Sequence, residues 1–306
     1  MEGIDDNIED QFEYNSSSDV EAEFEIELSD GSIFSKLFDF LKNGDNALIK
    51  LTKNSMTYTE LKDMTEDPKK GKNRFNIDII CDFNVDRFKT YIFKSKNEEY
   101  NLYMDVKTFH DKIKKIKKDV PIKIVKRSKN ETINIYTSDN LEDVAYFQPL
   151  VMQNIDSYNK EYKNKKTPNC LINTKKMYSD CNKISPTKYK KATLTGYDNY
   201  MTVEFRSLYQ NDGQKFNYSP VLPYKNLNIN LSLMPDVVCN PIVKSTIPII
   251  KYDIPTNLLK NISKLGQLSD SDMEFFFEKE EQRIKIIINI KQYVTVYTYI
   301  MTLDES

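Results

Sequence analysis

The order of sequence patterns in the first half of the chain recurs in the second half, and this repetition constrains the fold more than any single motif. Each half opens with an alternating, strand-like segment that leads into a helix-like segment. Several strand-like segments, a second strand and helix, and a hairpin follow in both halves. In the first half, the opening strand and helix patterns cover 24–29 and 31–44, and the second strand and helix cover 100–118. In the second half, the corresponding patterns cover 169–173 and 174–185, and then 247–266. The sequence therefore predicts two similar α+β units.

The predicted boundaries follow from composition. Residues 1–22 are rich in acidic residues and contain no basic one, which predicts a disordered acidic tail. Such a tail can simply aid solubility, or it can repel stray nucleic acid or compete for the basic segments. The first domain is predicted over 23–148, a connector over 149–166, and the second domain over 167–306. The N-terminal sequence resembles neither a secretory signal nor a mitochondrial presequence, so we expect an intracellular protein.

Lysine concentrates on one side of each predicted helix. In the segment 105–118, Val106, Phe109, Ile113 and Ile116 share a narrow sector, and the lysines lie roughly opposite. Asp105 is the predicted N-cap, and His110 is predicted to flank the apolar stripe. The lysines that the four helices place opposite their apolar sides are Lys36, Lys42, Lys107, Lys114, Lys115, Lys118, Lys175, Lys176, Lys183, Lys260 and Lys264.

These lysines have two interpretations. On any one helix, exposed lysine is commonly just the solvated side. Four helices at equivalent places in two units favour a second interpretation, in which the lysines share one surface suited to the phosphates of a polyanion. The net charge of −2 does not oppose this, since only one surface has to be positive.

The sequence offers little for catalysis. It contains no nucleotide-binding glycine motif and a single histidine, and its four cysteines form no close pair, so we expect no metal site, no cofactor and no enzyme. Paired carboxylates such as Asp270 and Asp272 leave a metal-dependent nuclease as the less favoured alternative. The cysteines are interpreted as small core residues of a reducing compartment.

From residue 23 to 303, the order of elements resembles the sliding-clamp family, to which proliferating cell nuclear antigen belongs. The segments that carry the resemblance are "FEIELSDGSIFSKLFDFLK", "FKTYIFKSKNEEYNLYMDVKTFHDKI", "YFQPLVMQNIDSYNKEY" and "IPTNLLKNISKLGQLSDSDMEFFFEKEEQRIKIIINI". The acidic tail and the segment "DMTEDPKKGKNRF" depart from cellular clamps. With the Lys- and Asn-rich composition, they are more similar to the divergent clamps of large cytoplasmic DNA viruses, asfarvirus-like ones in particular. That origin implies replication in the host cytoplasm, with the nucleus as an alternative location.

The resemblance implies a two-domain DNA-clamp fold, with two helices per domain packed on antiparallel sheets. Three subunits would form a ring around duplex DNA, with the lysines of the four helices on its inner wall. The ring would tether a DNA polymerase and other replication or repair proteins. The alternative within this fold is a transcription factor, checkpoint subunit or virion scaffold without processivity activity. The implied groove for partner peptides comprises Leu150, Met152, Ile155, Tyr299 and Ile300. The segments 131–138 and 200–208 are the candidate edge strands for ring closure.

Overall fold

The computed structural model describes residues 22–42, 44, 46–61, 75–128, 130–137, 144–150, 167–198, 200–206, 213–218 and 247–302. Four helices are present in these ranges: α1 Ser32–Leu41, α2 Val106–Ile113, α3 Thr174–Asn182 and α4 Thr256–Leu265. None of them combines the length and the apolar character that a bilayer crossing requires. The predicted acidic tail, except for Ala22, and most of the connector lie outside the described residues, as do Met152, Ile155 and Cys239.

The strands are numbered in chain order. Those of the first half are β1 Ala22–Leu28, β2 Asn46–Thr52, β3 Met56–Leu61, β4 Phe75–Phe83, β5 Thr90–Phe93, β6 Glu99–Asp105, β7 Ile122–Arg127, β8 Ile133–Tyr136 and β9 Val144–Phe147. Those of the second half are β10 Cys170–Ile172, β11 Lys191–Gly196, β12 Met201–Arg206, β13 Gly213–Tyr218, β14 Ile250–Pro255, β15 Met273–Glu278, β16 Arg283–Ile290 and β17 Val294–Thr302.

All the strands pair antiparallel, in three sheets. One sheet has the order β5-β1-β7-β8-β9, another β13-β12-β11-β14, and the largest β10-β15-β16-β17-β4-β3-β2-β6. The largest sheet contains strands of both halves, which meet where β17 pairs with β4 along nine residues. A continuous sheet therefore joins the two halves.

The two halves are built alike. Two strand orders of the first half recur in the second half. The order β9-β8-β7-β1 corresponds to β17-β16-β15-β10, and the order β6-β2-β3-β4 corresponds to β14-β11-β12-β13. The helices α1 and α3 follow the first strand of their half, and α2 and α4 follow the equivalent strands β6 and β14. The predicted internal repeat and α+β class are thus confirmed.

The four helices form one layer. Helix α1 packs against both α2 and α4, and α4 also packs against α3. Each helix buries its apolar side: α1 through Phe34 and Phe38, α2 through Phe109 and Ile113, α3 through Met177, and α4 through Leu259 and Ile262. The sheets cover one side of the helix layer, so the exposed residues of the helices form its other side.

Helix α2 is shorter than predicted and ends at Ile113 instead of continuing to residue 118. The Ile116 amide donates to the Ile113 carbonyl at 3.1 Å, and Asp119 has a φ of 61°, so the chain tightens and then reverses. Lysines three and four residues apart repel one another along a helix, which disfavours its extension. The Asp119 amide instead donates to the Asp30 carboxylate, 3.3 Å away.

The N-cap residue of α1 is Gly31, which has no side chain to accept a capping hydrogen bond. Ser32 is the first helical residue, and its amide and hydroxyl donate to Asp30 at 3.1 and 2.6 Å. Burial acts to raise the pKa of Asp30, but these bonds, the Asp119 amide and Lys291 lower it, and the net shift is downward. The predicted cap of α2 is confirmed, since Asp105 accepts from the Thr108 amide. Helix α3 ends at Asn182 rather than at residue 185.

Candidate DNA-facing surface and subunit edges

Most of the predicted lysines lie exposed on the outer surface of the helix layer or in the turn after α2. We call this surface the lysine face, and its exposed members are Lys36, Lys107, Lys114, Lys115, Lys118, Lys175, Lys176, Lys183 and Lys264. Lys42 and Lys260 are partly buried. The Lys260 ammonium donates to the Ile184 carbonyl at 2.8 Å, so this lysine fastens α4 to the segment after α3.

Several of these lysines already have an acidic neighbour three residues earlier. Lys114 lies 2.8 Å from Asp111 and Lys183 lies 3.4 Å from Asp180, and Lys42 pairs with Asp39 in the same spacing. The Lys114 hydrogen bond lowers the pKa of Asp111. Asp180 was not anticipated from the sequence as an acid on these helices. The exposed pairs Lys114–Asp111 and Lys42–Asp39 add little stability, so their main effect is to reduce the positive charge around each pair.

Lysines without such a neighbour are the stronger candidates for phosphate contacts. Among the described residues, Lys36, Lys107, Lys115 and Lys264 have no carboxylate within ion-pairing distance. Lys115 belongs to the turn after α2 and not to the helix, because α2 ends at Ile113. The most positive part of the lysine face therefore includes a turn as well as the helices.

His110 occupies a different place from the predicted one. Its side chain is buried between α1 and α2, where Nε2 lies 3.6 Å from the Asp39 carboxylate. Burial lowers the pKa of His110, Lys42 and Lys114 lower it further, and Asp39 and Asp111 act in the opposite direction. The histidine is therefore a packed residue of the α1–α2 contact rather than a flanking one.

The sheet side of the first half carries both signs of charge. Glu25 and Glu27 of β1 lie 2.8 and 2.6 Å from Lys123 and Lys89, and Glu23 lies 3.6 Å from Lys126. Each glutamate in this row is thus balanced by a lysine on a neighbouring segment. On the sheet side, these lysines form ion pairs with glutamates. On the lysine face, exposed acids are few, so fewer lysines can be paired in this way.

The predicted edge strands are not edges. The segment 131–138 contains β8, which pairs with β7 and β9, and the segment 200–208 contains β12, which pairs with β11 and β13. The strands that end these sheets on that side are β9 and β13. Sequence patterns missed β13 because it has the composition of a solvated segment; among its described side chains, Phe216 packs against the core.

The strands β9 and β13 correspond to the two strands that join the halves. By strand order, β9 is equivalent to β17, and β13 is equivalent to β4. Within the chain β17 pairs with β4, whereas β9 and β13 each have one open side among the described residues. When the halves are aligned at Leu28 and Ile172, the last residues of β1 and β10, the strand registers make Tyr146 of β9 equivalent to Tyr299 of β17. These tyrosines are 60% and 4% exposed. The open edge thus leaves exposed an aromatic residue whose counterpart is buried.

The burial of Ile300 and Tyr299 opposes their predicted place in the peptide groove. Ile300 is fully buried at 0% exposure and belongs to the core, so it cannot line a surface groove. Tyr299 points to the opposite side of the sheet, where its ring lies beside Lys285 and Arg283 and is almost fully covered. Leu150 is exposed, and its amide donates to the Tyr103 carbonyl at 2.9 Å. A groove that uses Leu150 remains a prediction.

The carboxylates considered for a nuclease do not come together as a metal site. Asp270 lines a polar cleft of about 500 Å³ beside Arg87 and Lys291, and Asp272 accepts from the Asn173 side chain at 3.4 Å. In the described ranges, no group of three or more His, Cys, Asp or Glu residues is arranged to hold a metal ion.

The described cysteines are core residues. Cys81, Cys170 and Cys181 are all buried. Burial raises the pKa of the Cys170 thiol to about 12 and that of the Cys181 thiol to about 11. These thiols therefore stay protonated at neutral pH, and a reactive thiolate is disfavoured.

Comparison with known proteins reveals the fold through structure and not through sequence. No family model and no curated protein matches the sequence. Among solved structures, the proliferating cellular nuclear antigen of Entamoeba histolytica is similar, with a TM-score of 0.63 and 9% identity over 93% of this chain and 100% of that one. Because identity is so low, the likeness concerns the fold alone. The chain has the sliding-clamp fold of proliferating cell nuclear antigen.

Proposed function

We propose that the protein is a sliding clamp, a DNA polymerase processivity factor that encircles duplex DNA. The observation that carries this proposal is the lysine face, a positive surface spread over four helices that form one layer. Duplex DNA presents a charge about every 1.7 Å, so a lysine-rich wall attracts it regardless of base sequence. The clamp fold acts as a scaffold and not as an enzyme, so no catalytic group is required.

The repeat supports a ring of subunits arranged head to tail. Inside the chain, β17 and β4 join two similar halves. If β9 of one subunit pairs with β13 of the next in the same way, every junction around the ring is alike, and a heterologous interface of this kind can close. We propose three subunits, as the resemblance to sliding clamps implies. Each subunit would add its lysine face to the inner wall.

The same register can be carried from the joined strands to the open ones. Tyr299 pairs with Asp78 and Thr298 pairs with Ile79. When the halves are aligned at Asp105 and Pro255, the last residues of β6 and β14, Gly213 and Gln214 are equivalent to Asp78 and Ile79. This register places Tyr146 opposite Gly213, and Ala145 opposite Gln214, of the next subunit. Backbone hydrogen bonds then hold the subunits together, and burial of Tyr146 adds apolar contact.

Exposed lysines suit a clamp that moves along DNA. Lysine is a flexible point charge, and it does not fix bases in the bidentate geometry that arginine offers. Contacts in a wet channel are screened over about 10 Å at 0.1 M salt, so each one is weak. Encirclement then supplies retention, and the weak contacts permit sliding. A tethered polymerase would be the main partner, with other replication or repair proteins as further ones.

An oligomer measurement with a matched pair of variants tests the ring. Tyr146→Arg places a charge at the open edge of β9, whereas Ile92→Arg places one on β5, at the other end of the same sheet, where the side chain is 37% exposed. We expect light scattering to report a trimer for the parent and for Ile92→Arg, and a monomer for Tyr146→Arg. A parent that stays monomeric at all concentrations contradicts the ring.

A clamp-fold protein without processivity activity is the second candidate. The observation that favours it is the length of β9, whose four residues offer less pairing than the nine of the β17–β4 junction. Polymerase extension on a long primed circular template separates the two candidates. A gain in product length with the matching polymerase supports the clamp, and an unchanged product length with a trimeric protein supports the second candidate.

A further inference from the structure

The segment that precedes β1 is a concentrated negative charge. Residues 1–21 contain eight acidic residues and no basic one: Glu2, Asp5, Asp6, Glu9, Asp10, Glu13, Asp19 and Glu21. The whole chain has a net charge of −2, so a segment of −8 leaves +6 on the other residues. The chain thus separates a polyanionic segment from a net positive remainder.

The lysine face offers this segment an electrostatic complement. Nine of its lysines are exposed, against three exposed acids on the helices and in the turn after α2: Asp39, Asp111 and Asp119. On the sheet side of the first half, the lysines nearest to β1 already face Glu23, Glu25 and Glu27. A polyanion therefore gains more ion pairs on the lysine face than beside its own point of attachment.

The segment is long enough to reach this face. It joins the described chain at Ala22, the first residue of β1, and α1 begins at Ser32. Seven strand residues span about 23 Å. Twenty-one residues have a root-mean-square reach of roughly 25 Å as a flexible chain, and up to about 70 Å when extended. Contact with the lysine face of the same subunit, or of its neighbour in a ring, needs no rearrangement of the fold.

We propose that residues 1–21 bind the lysine face when DNA is absent and are displaced by duplex DNA. This inference rests on the proposed clamp function, because it assigns the regulation of the same surface. The contact consists of many screened ion pairs without a fixed partner for each carboxylate. Duplex DNA carries charge more densely than the segment does, so DNA that the ring encircles displaces the segment. A nucleic acid that the ring does not encircle has to compete with the segment for the lysine face. The segment would thereby suppress adsorption to DNA by subunits that have not closed around it.

Cross-linking tests the contact directly, without DNA. Treatment of the full chain with a zero-length carbodiimide, followed by mass spectrometry, should join tail carboxylates to lysines such as Lys107, Lys115 and Lys264. Lys53, between β2 and β3, and Lys251 of β14 are exposed but belong to no helix, so they act as internal controls. Cross-links confined to these controls, or none at all, would overturn the proposal.

DNA affinity tests the competition. We compare linear duplex binding by the full chain, by a chain lacking residues 1–21, and by a chain whose eight acids are changed to Asn or Gln. Both altered chains should bind on the order of ten-fold more tightly at about 0.05 M salt, and the difference should vanish near 0.5 M because screening then acts within a few ångströms. A tail of shuffled sequence should behave like the parent, and equal affinity of all the chains would overturn the proposal.

The two tests separate this inference from the proposed function. If none of the chains binds or encircles DNA but the lysine-face cross-links form, the clamp function fails and the tail contact stands. If the chains encircle DNA with equal affinity and no such cross-link forms, the clamp function stands and the tail contact fails.

Discussion

Tyr299 of the second half lies directly opposite Asp78 of the first half, in the middle of the junction that makes one sheet from two repeats. The equivalents of these residues, Tyr146 and Gly213, lie on strands whose outer sides are open among the described residues. An antiparallel edge of this kind exposes backbone donors and acceptors that pair with another strand. The internal junction is therefore a template for the junction between subunits.

The transferred register predicts a specific cross-link. Ala145→Cys with Gln214→Cys, and Val144→Cys with Lys215→Cys, place two neighbouring cysteine pairs across the proposed interface. Directly opposed residues alternate between about 4.5 and 5.5 Å in Cα separation, so one pair has the closer spacing. Mild oxidation should therefore produce covalent dimers and trimers of the double variant with the closer cysteine pair, and a non-reducing gel should show them.

The matched control for this cross-link is out of register. Ala145→Cys with Asn217→Cys shifts the pairing by three residues, or about 10 Å, which is beyond the reach of a disulfide. We expect no ladder from it, nor from the single variants, since the described native cysteines are buried. A ladder of equal intensity from the shifted pair would reject the transferred register.

The lysines of the face should contribute unequally to DNA retention. Lys107 and Lys115 have no carboxylate within ion-pairing distance in the described chain, whereas Lys42 pairs with Asp39. Replacing Lys107 or Lys115 by Ala should lower the slope of log affinity against log salt by up to about 0.9 per lost phosphate contact, and Lys42→Ala should change it less. Titration of duplex binding over a salt series measures these slopes. Equal slopes for all three variants would contradict the role given to the ion pairs.

The sequence predicts the repeat and the helix layer well because both depend on apolar periodicity. The hydrophobic positions of α1 and α2, such as Phe34, Phe38 and Phe109, are buried as their spacing predicts. The end of α2 was not predictable in this way. It depends on the left-handed conformation of Asp119 and on the bonds that join this turn to Asp30, a contact 89 residues apart in sequence.

The open edges were harder to find than the helices. Sequence patterns detect strands through buried alternation, which is strong in β8 and β12 because both are internal strands of their sheets. The edge strand β13 buries little, so its pattern resembles a loop. Ile300 was assigned to the groove by the resemblance alone, but alternation from Val296 and Thr298 turns its side chain to the core.

The pH dependence of stability should reveal the burial of His110. Its pKa is lowered in the folded state by burial and by Lys42, so the unfolded chain binds the proton more readily. The stability that neutral His110 contributes is fully present above the ordinary histidine pKa near 6.5. It is lost as the pH falls from 6.5 through the lower pKa that His110 has in the folded state. Urea unfolding at pH 7.5 and 5.5 measures the loss. The loss should be smaller for His110→Gln, which removes the titrating group, and an equal loss in both proteins would contradict the assignment.

Gly196 should be intolerant of a side chain. A Cβ at this position, the last residue of β11, would lie 2.6 Å from ring atoms of the buried Phe277. Since the φ of Gly196 is not positive, the constraint is close packing and not backbone conformation. We expect Gly196→Ala to lower the free energy of unfolding by about 1–3 kcal/mol, as overpacking of a core does. Phe277→Leu costs stability by itself but makes room for the methyl group, so the double variant should lose less than the sum of the two single losses. Additive losses in denaturant unfolding would show that the Gly196–Phe277 contact is not the cause.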